Sequence, residues 1–347
     1  MAGGDRVRRG AVIGCGYFAR NHLHAWAGLP GVRIAAVCDR DRARAEAAAA
    51  IVAGAAVHTD AEAMLAAENL DFVDIVTTVE GHRPLVELAA ARGVGAICQK
   101  PFAATREDAE AMVAACAAAG VPLMVHENFR WQAPLRAVAA AIGQGAIGRP
   151  TYARLSFRHG FDIYADQPYL RTVPRLAILD LGIHLLDVAR ALLGEATRLH
   201  CRTQRIDPGV TGEDAATIAL DHRDGAVSLV DFCFATTVVP DPFPQTTVRV
   251  EGDRGTVELF PGHRLRISGD GRMEERDVTP PMPPWGTPGR HLIQESVIET
   301  QRHWLDALAG GRPLETSGAD NLRTLDLVFA AYDSAESGRA VAVGGKA

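Results

Sequence analysis

An α/β domain with a doubly wound parallel sheet over residues 1–127 is the first half of the fold that the sequence predicts. The second is an α+β domain over 128–347, with an open-faced, mainly antiparallel sheet and closing C-terminal helices. Three observations predict this arrangement. Up to residue 127, short β-branched runs alternate with alanine-rich amphipathic segments, the spacing of βαβ units. Beyond Asn128 the runs lengthen and alternate apolar with polar residues, as strands with one buried face do. The 347 residues, 48% hydrophobic and 22% charged, are enough for two ordinary globular cores.

In order, RGAVIG (9–14), VRIAAVC (32–38), FVDIVTT (72–78), GAIC (95–98) and PLMVH (122–126) read as buried strands. Helices are expected between them over 41–51, 83–92 and 106–119, where alanine supplies the propensity. A further helix over 134–143 leads into GAIGRP. Then TYARLSFRHG, AATIALDH, AVSLVDFCF, TTVRVEG, GTVELF and HRLRIS follow as strands of the second sheet. VTPPMPPWGTPG (278–289) is a proline-rich loop, and two helices close the chain near 296–309 and 319–337.

Composition excludes several classes. Forty-two acids against 36 bases give no basic field for nucleic acid or an anionic membrane. Six scattered cysteines without a CxxC pair read as reduced thiols. The apolar run near the start is too short for a secretory signal, and no window reaches the ~18 apolar residues of a membrane span. A soluble, cytoplasmic protein is expected.

GAVIGCGYFARNHLHAW has the form strand, G-x-G-x-x-A, helix, with Gly14, Gly16 and Ala19 at the key positions. The first glycine permits the tight turn. The second lets backbone approach a pyrophosphate at the helix N-terminus, and alanine still allows close helix–strand packing. Tyr17 and Phe18, inside the turn, are counted with the same site. Asp39 ends the second strand, where an acid binds the adenosine ribose hydroxyls and repels a 2′-phosphate. NAD is therefore favoured, while Arg40 and Arg42 keep NADP open. Thr78 and His82, in TTVEGH after a strand, would shape the loop over the cofactor; capping or packing is the alternative for His82.

AICQKPF places Gln99 and Lys100 just past a parallel strand, where open α/β sheets bind ligands. LDLGIHLLDVARALLG (179–194) carries Asp180, His184 and Asp187 in an otherwise apolar helix. At about 100° per residue the three share roughly one quadrant. They form either a buried structural network or part of a site. Asp180 and His184 could give a metal two ligands, but no partner cluster has ligand spacing, so no metal is expected.

Taken in order, GCGYFA, TTVEGH, QKP, ENFRW, GAIG, DLGIH and EGDRGTVEL resemble the Gfo/Idh/MocA family over nearly the whole chain. The family is named for glucose–fructose oxidoreductase, inositol dehydrogenase and a rhizopine-catabolism protein. The resemblance implies a Rossmann domain followed by an open-faced sheet that carries the substrate, and a homodimer or homotetramer formed through that sheet. It implies an NAD(P)-dependent dehydrogenase that oxidises a secondary alcohol or hemiacetal carbon of a sugar or cyclitol. Lys100, Asp180 and His184 would then surround the substrate hydroxyl, with His184 as general base and Asp180 orienting it or binding a neighbouring hydroxyl. Asp187 reads as a structural partner of an arginine. Where the family carries glutamate before the lysine, this chain has Gln99, so Lys100 is expected to titrate more easily.

For the substrate, Asn128 and Arg130 in HENFRWQ line the site or else pack between domains. Tyr164, Tyr169, Arg171 and Arg175, just before the catalytic helix, offer donors and aromatic faces for a polyol. QKP, HENFRWQ, PRLAILDLGIH and ETSGADNL together resemble a branch of the family that includes D-apiose dehydrogenases, which implies a small sugar. Two other functions are kept beside this one. A redox-neutral glycosidase could retain NAD, and a redox-silent dinucleotide sensor would need only the Gly14, Gly16 and Asp39 half.

Overall fold

Parallel pairing joins the β-branched runs into one sheet in the computed structural model, which describes residues 6–343. The strands are β1 (Arg8–Ile13), β2 (Val32–Cys38), β3 (Ala56–His58), β4 (Phe72–Ile75), β5 (Gly95–Cys98) and β6 (Leu123–Val125). Between them run α1 (Ala19–Gly28), α2 (Arg42–Ala49), α3 (Ala61–Ala67), α4 (His82–Ala91) and α5 (Arg106–Ala119). The spatial order β3-β2-β1-β4-β5-β6 is that of a doubly wound dinucleotide fold, with its switch point between β1 and β4. β3 and α3 were not expected: the strand has three half-buried residues and no strong pattern. The local signal for α3 was Asp60, whose carboxylate accepts from Ala63 N–H at 2.7 Å as an N-cap.

The sheet is buried because its strands are apolar on both faces. At Gly10 a Cβ would fall 2.3 Å from Phe72 Cζ, so glycine there lets the ring lie against β1. Phe72 packs between Trp26 and Trp304, at centroid distances of 5.0 and 5.8 Å.

The chain forms two compact units. The first takes the sequence up to Glu127 together with Val297–Leu322, and the second takes Asn128–Ser296 and the sequence from Arg323 onward. The segment containing Trp304 was expected to close the second domain, and it packs with the first instead. Trp304 fills the core beside Phe72. Thr316 O–H donates to the Val125 carbonyl at 2.7 Å, and Val125 N–H donates to the Thr316 carbonyl at 2.8 Å, so the open edge of β6 is covered.

The second unit opens with α6 (Ala133–Gly143) and β7 (Pro150–Arg158), followed by α7 (Ile183–Leu193). Then come β8 (Ala196–Gln204), β9 (Ala215–His222), β10 (Val227–Cys233), β11 (Thr247–Gly252) and β12 (Gly255–Phe260). β13 (Arg264–Gly269), β14 (Arg272–Asp277), α8 (His291–Leu308), α9 (Gly318–Ser337) and β15 (Val341–Ala342) complete the chain. Nine strands pair in the order β14-β13-β12-β11-β7-β10-β9-β8-β15. All neighbours are antiparallel except β7 and β10, which run parallel. β14 escaped the sequence reading because RMEERD is exposed throughout and shows no apolar alternation.

The polar helix begins differently from expectation. Ile178–Gly182 is a π-helical turn, and α7 starts only after it. The uniform 100° step therefore fails at Asp180, which lies on the π turn while His184 and Asp187 lie on α7. Gly182 is where the backbone meets β10, since a Cβ there would fall 2.6 Å from Phe232 Cζ.

α7 is buried on nearly every side, so its polar residues must find partners inside. Asp187, with no solvent exposure, accepts from Arg130 Nε at 2.6 Å and Arg130 Nη2 at 2.9 Å. Thr324 O–H donates to the same carboxylate at 2.8 Å, and Arg190 Nη1 donates to Thr324 Oγ1 at 2.7 Å. Removing one member of a buried ion pair strands the other charge. Arg130→Met is expected to cost about 3–5 kcal/mol in a denaturant titration, and Arg130→Met/Asp187→Leu to recover most of that loss.

Candidate functional site

In the first unit the glycine turn is built as a phosphate cradle. Gly14 has φ +91° and no room for a side chain, because a Cβ would sit 2.6 Å from the Val76 carbonyl oxygen. Gly16 faces open space: a Cβ there would meet nothing within 4 Å. α1 begins after Phe18 without a side-chain cap, whereas α2, α3 and α5 are capped by Asp41, Asp60 and Thr105. Uncapped N–H groups beside an open glycine suit a pyrophosphate, so these residues fit a dinucleotide.

Asp39 closes the cradle from β2. Its Oδ2 accepts the Cys15 N–H at 2.8 Å and its Oδ1 accepts the Asp41 N–H at 2.9 Å. The carboxylate is thereby fixed at the strand end, with lone pairs left for ribose hydroxyls. Arg40 is exposed and Tyr17 is 46% exposed, both at the rim of the turn, while Phe18 packs edge-on against His22. Thr78 holds the N-cap position of the short 3-10 turn Val79–Gly81 that follows β4, without a side-chain capping bond. His82 is buried beneath that turn, with Nδ1 3.1 Å from the Phe102 carbonyl and Nε2 3.2 Å from the Thr77 carbonyl. Burial lowers its pKa against the pull of those carbonyls, so the ring ties the β4 and β5 loops together.

Beyond β5, Gln99 is buried and Lys100 half-buried. Gln99 Oε1 accepts the Lys100 N–H at 2.7 Å, and its Nε2 lies 3.1 Å from His22 Nε2. His22 Nδ1 in turn lies 2.8 Å from Asp74 Oδ2, which also accepts Trp26 Nε1–H at 2.7 Å.

In the second unit, His184 stacks on Phe129 with ring centroids 4.1 Å apart and planes 3° from parallel. Arg130, next in sequence to Phe129, reaches Asp187 on the same helix as His184. The imidazole plane is thus set by a ring whose neighbour is pinned by a buried charge pair. Asn128 is buried and donates from Nδ2 to Ser296 Oγ at 2.7 Å. Asp180 is half-buried on the π turn. Glu213 holds the start of that turn, accepting the Leu176 N–H at 3.2 Å, the Ile178 N–H at 2.9 Å and the Tyr332 O–H at 2.9 Å.

The expected substrate residues divide into separate groups. Arg130 joins the Phe129–His184–Asp187 cluster. Arg175 lies over the Tyr332 ring at 4.6 Å and pairs with Glu336, beside the Glu213 tether. A cleft of about 610 Å³ opens there, lined by Arg175, Glu213, Tyr332 and Glu336 among others. Arg171 packs over Tyr164 at 4.2 Å and pairs with Asp207 at 3.3 Å, and Tyr169 is 59% exposed. Sequence reasoning missed Phe129, Glu213, His22 and Asp74. Only Asp74 carried a signal, an acid inside the apolar strand FVDIV.

Comparison with known proteins gives these features a context. Residues 8–127 match the Gfo/Idh/MocA oxidoreductase family, NAD-binding Rossmann fold, and residues 135–258 match the family's C-terminal domain. A D-apiose dehydrogenase of Rhizobium rhizogenes is 50% identical over 97% of this chain and 97% of its own length. Another, from Paraburkholderia graminis, is 51% identical over 96% of this chain and 89% of its own length. The crystal structure of an oxidoreductase from Agrobacterium radiobacter, in complex with NAD+, L-tartaric acid and magnesium, has a TM-score of 0.96. It is 50% identical, covering 97% of this chain and 99% of that one. The glycine cradle with Asp39, the lysine past β5 and the histidine of α7 are therefore features of a chain that belongs to the Gfo/Idh/MocA oxidoreductase family.

Proposed function

We propose that the protein is an NAD-dependent dehydrogenase that oxidises a CH–OH group of a small sugar, with D-apiose as the first substrate to test. The observation that carries this reading is the combination of an open, uncapped glycine cradle with His184 clamped on Phe129. The 50% identity to D-apiose dehydrogenases supports the sugar. Bound NAD+ supplies the hydride acceptor. Gly14, Gly16, Tyr17, Phe18, Asp39, Arg40, Thr78, His82, Gln99 and Lys100 are assigned to holding it. Asn128, Arg130, Tyr169, Arg171 and Arg175 are assigned to the substrate side, with Asn128 and Arg130 acting partly through the packing they provide.

The chemistry assigned to the chain's own residues is proton handling. His184 takes the hydroxyl proton as the carbon gives up its hydride, and its ring is held in one plane by Phe129 so that no reorientation is needed. Lys100 donates a hydrogen bond to the same hydroxyl and stabilises the developing alkoxide. Asp180 orients His184 or a neighbouring hydroxyl.

The outer face of the nine-stranded sheet is assigned to self-association as a homodimer or homotetramer. Paired charges such as Arg154–Asp231 and Arg249–Glu258 along that face support a surface that can be desolvated against a copy of itself. Among the described residues all six cysteines are free thiols, which supports a reducing, cytoplasmic setting. No described helix is long and apolar enough to cross a membrane.

An anaerobic panel of aldoses, keto sugars, inositols and glycosides, read for reduced nicotinamide and released aglycone together, tests the reaction class. Reduced cofactor accumulating with apiose or another small sugar is the expected result; aglycone without net reduction would overturn it. With that sugar, His184→Ala is expected to lower kcat by about 10²- to 10⁴-fold. Asp39→Ala is expected to raise the KM for NAD by about ten- to a hundredfold, the loss of charge-assisted bonds to ribose, and to raise the efficiency with NADP.

A further inference from the structure

Around Gln99 the hydrogen bonds can run in only one sense. The Lys100 N–H lies 2.7 Å from Gln99 Oε1, and a backbone N–H can only donate. The amide oxygen must therefore face Lys100, which turns the NH2 toward His22 Nε2 at 3.1 Å. That NH2 can only donate as well, so His22 Nε2 must present its lone pair. The ring's hydrogen is then on Nδ1, where it donates to Asp74 Oδ2 at 2.8 Å. The same oxygen accepts Trp26 Nε1–H at 2.7 Å, and Gln301 Nε2 donates to the His22 carbonyl at 3.3 Å.

Four segments thus meet in one buried array: α1 through His22 and Trp26, β4 through Asp74, the end of β5 through Gln99, and α8 through Gln301. His22 and Asp74 have no solvent exposure, and the His22 ring packs 4.2 Å from that of His126. The titratable groups packed on the array are Asp74 from β4, Cys98 and Lys100 at the end of β5, and His126 after β6; α8 contributes the neutral Gln301.

We propose that Gln99 is a positioning residue for Lys100, locked by an Nδ1-protonated His22 that Asp74 holds in that tautomer. The inference rests on the reading of Lys100 as a residue that meets the substrate. A glutamine side chain is long and flexible, and one acceptor bond to the next residue's N–H would not fix it. The second bond, to a ring whose own orientation is set by a buried carboxylate, removes that freedom. The backbone at Lys100 is then held by donors and acceptors that keep their protons throughout turnover. The array moves no proton itself. A carboxylate in place of the amide would still accept from Lys100 N–H, but its other oxygen would face the His22 Nε2 lone pair. The ring would then need a hydrogen on that nitrogen as well, and the hold on Lys100 would come to depend on pH.

The test begins with cofactor-free protein carrying 15N-histidine, with His22 assigned by the loss of its signals in His22→Gln. At pH 7.5 the wild-type ring is expected to show a protonated Nδ1 and an unprotonated Nε2, and Gln99→Glu to show both nitrogens protonated. Exchange of the Lys100 amide hydrogen is expected to be about tenfold faster in His22→Leu, the loss of one net hydrogen bond. Gln99→Leu should lower kcat about 10- to 100-fold, as a misplaced group does. Gln99→Glu should lose kcat as pH rises, a slope that wild type lacks. A wild-type ring protonated on Nε2 would overturn the proposal. So would unchanged Lys100 exchange in His22→Leu, or identical pH profiles for wild type and Gln99→Glu. The ring and exchange readings need no substrate, so a failure to turn over any sugar would count against the dehydrogenase reading and leave them standing.

Discussion

Asp74 and Asp187 are carboxylates with no access to water, and each draws its donors from the surroundings of a candidate catalytic residue. A buried charge costs several kcal/mol unless its lone pairs are filled by good donors. In the first unit the donors are His22 and Trp26 from α1, both to Asp74 Oδ2, and the first of these bonds orients the ring that holds Gln99 behind Lys100. In the second they are Arg130 and Thr324, and filling Asp187 pins the residue next to Phe129, on which His184 stacks. Each unit thus has one desolvated acid whose partners fix the surroundings of a candidate catalytic residue.

The division of labour explains the residue types. Arginine suits Asp187 because its planar fork matches a carboxylate with two bonds, at 2.6 and 2.9 Å. Histidine suits Asp74 because one ring nitrogen can donate to the acid while the other accepts from Gln99, a relay that lysine or arginine could not make. The π turn before α7 shows the same logic in the backbone. It places Asp180 off the regular helical spacing, and Glu213 takes up the N–H groups of Leu176 and Ile178 that lead into it.

Much of the scaffold was legible in the sequence because its signals are local. The glycine turn, Asp39 at the end of β2, Lys100 after an apolar strand and the polar residues of DLGIHLLD are short patterns whose chemistry can be read in place. What escaped depends on partners distant in the chain. Nothing near Asp187 announces Thr324, nothing near Phe72 announces Trp304, and the stacking of Phe129 on His184 exists only once the second unit has folded. β14 was missed for the opposite reason: it is a charged edge strand held by backbone pairing to β13, with no apolar face to betray it. The π turn was invisible because a pattern of apolar positions assumes one helical period throughout.

Removal of hydride from a sugar carbon onto nicotinamide is read most directly with a sugar deuterated at the oxidised carbon. Mass spectrometry of the cofactor after a single turnover reads where the label goes. One deuterium in the reduced nicotinamide for each oxidised sugar is the expected result. Label found in solvent, or returned to the carbohydrate with the cofactor still oxidised, would contradict it.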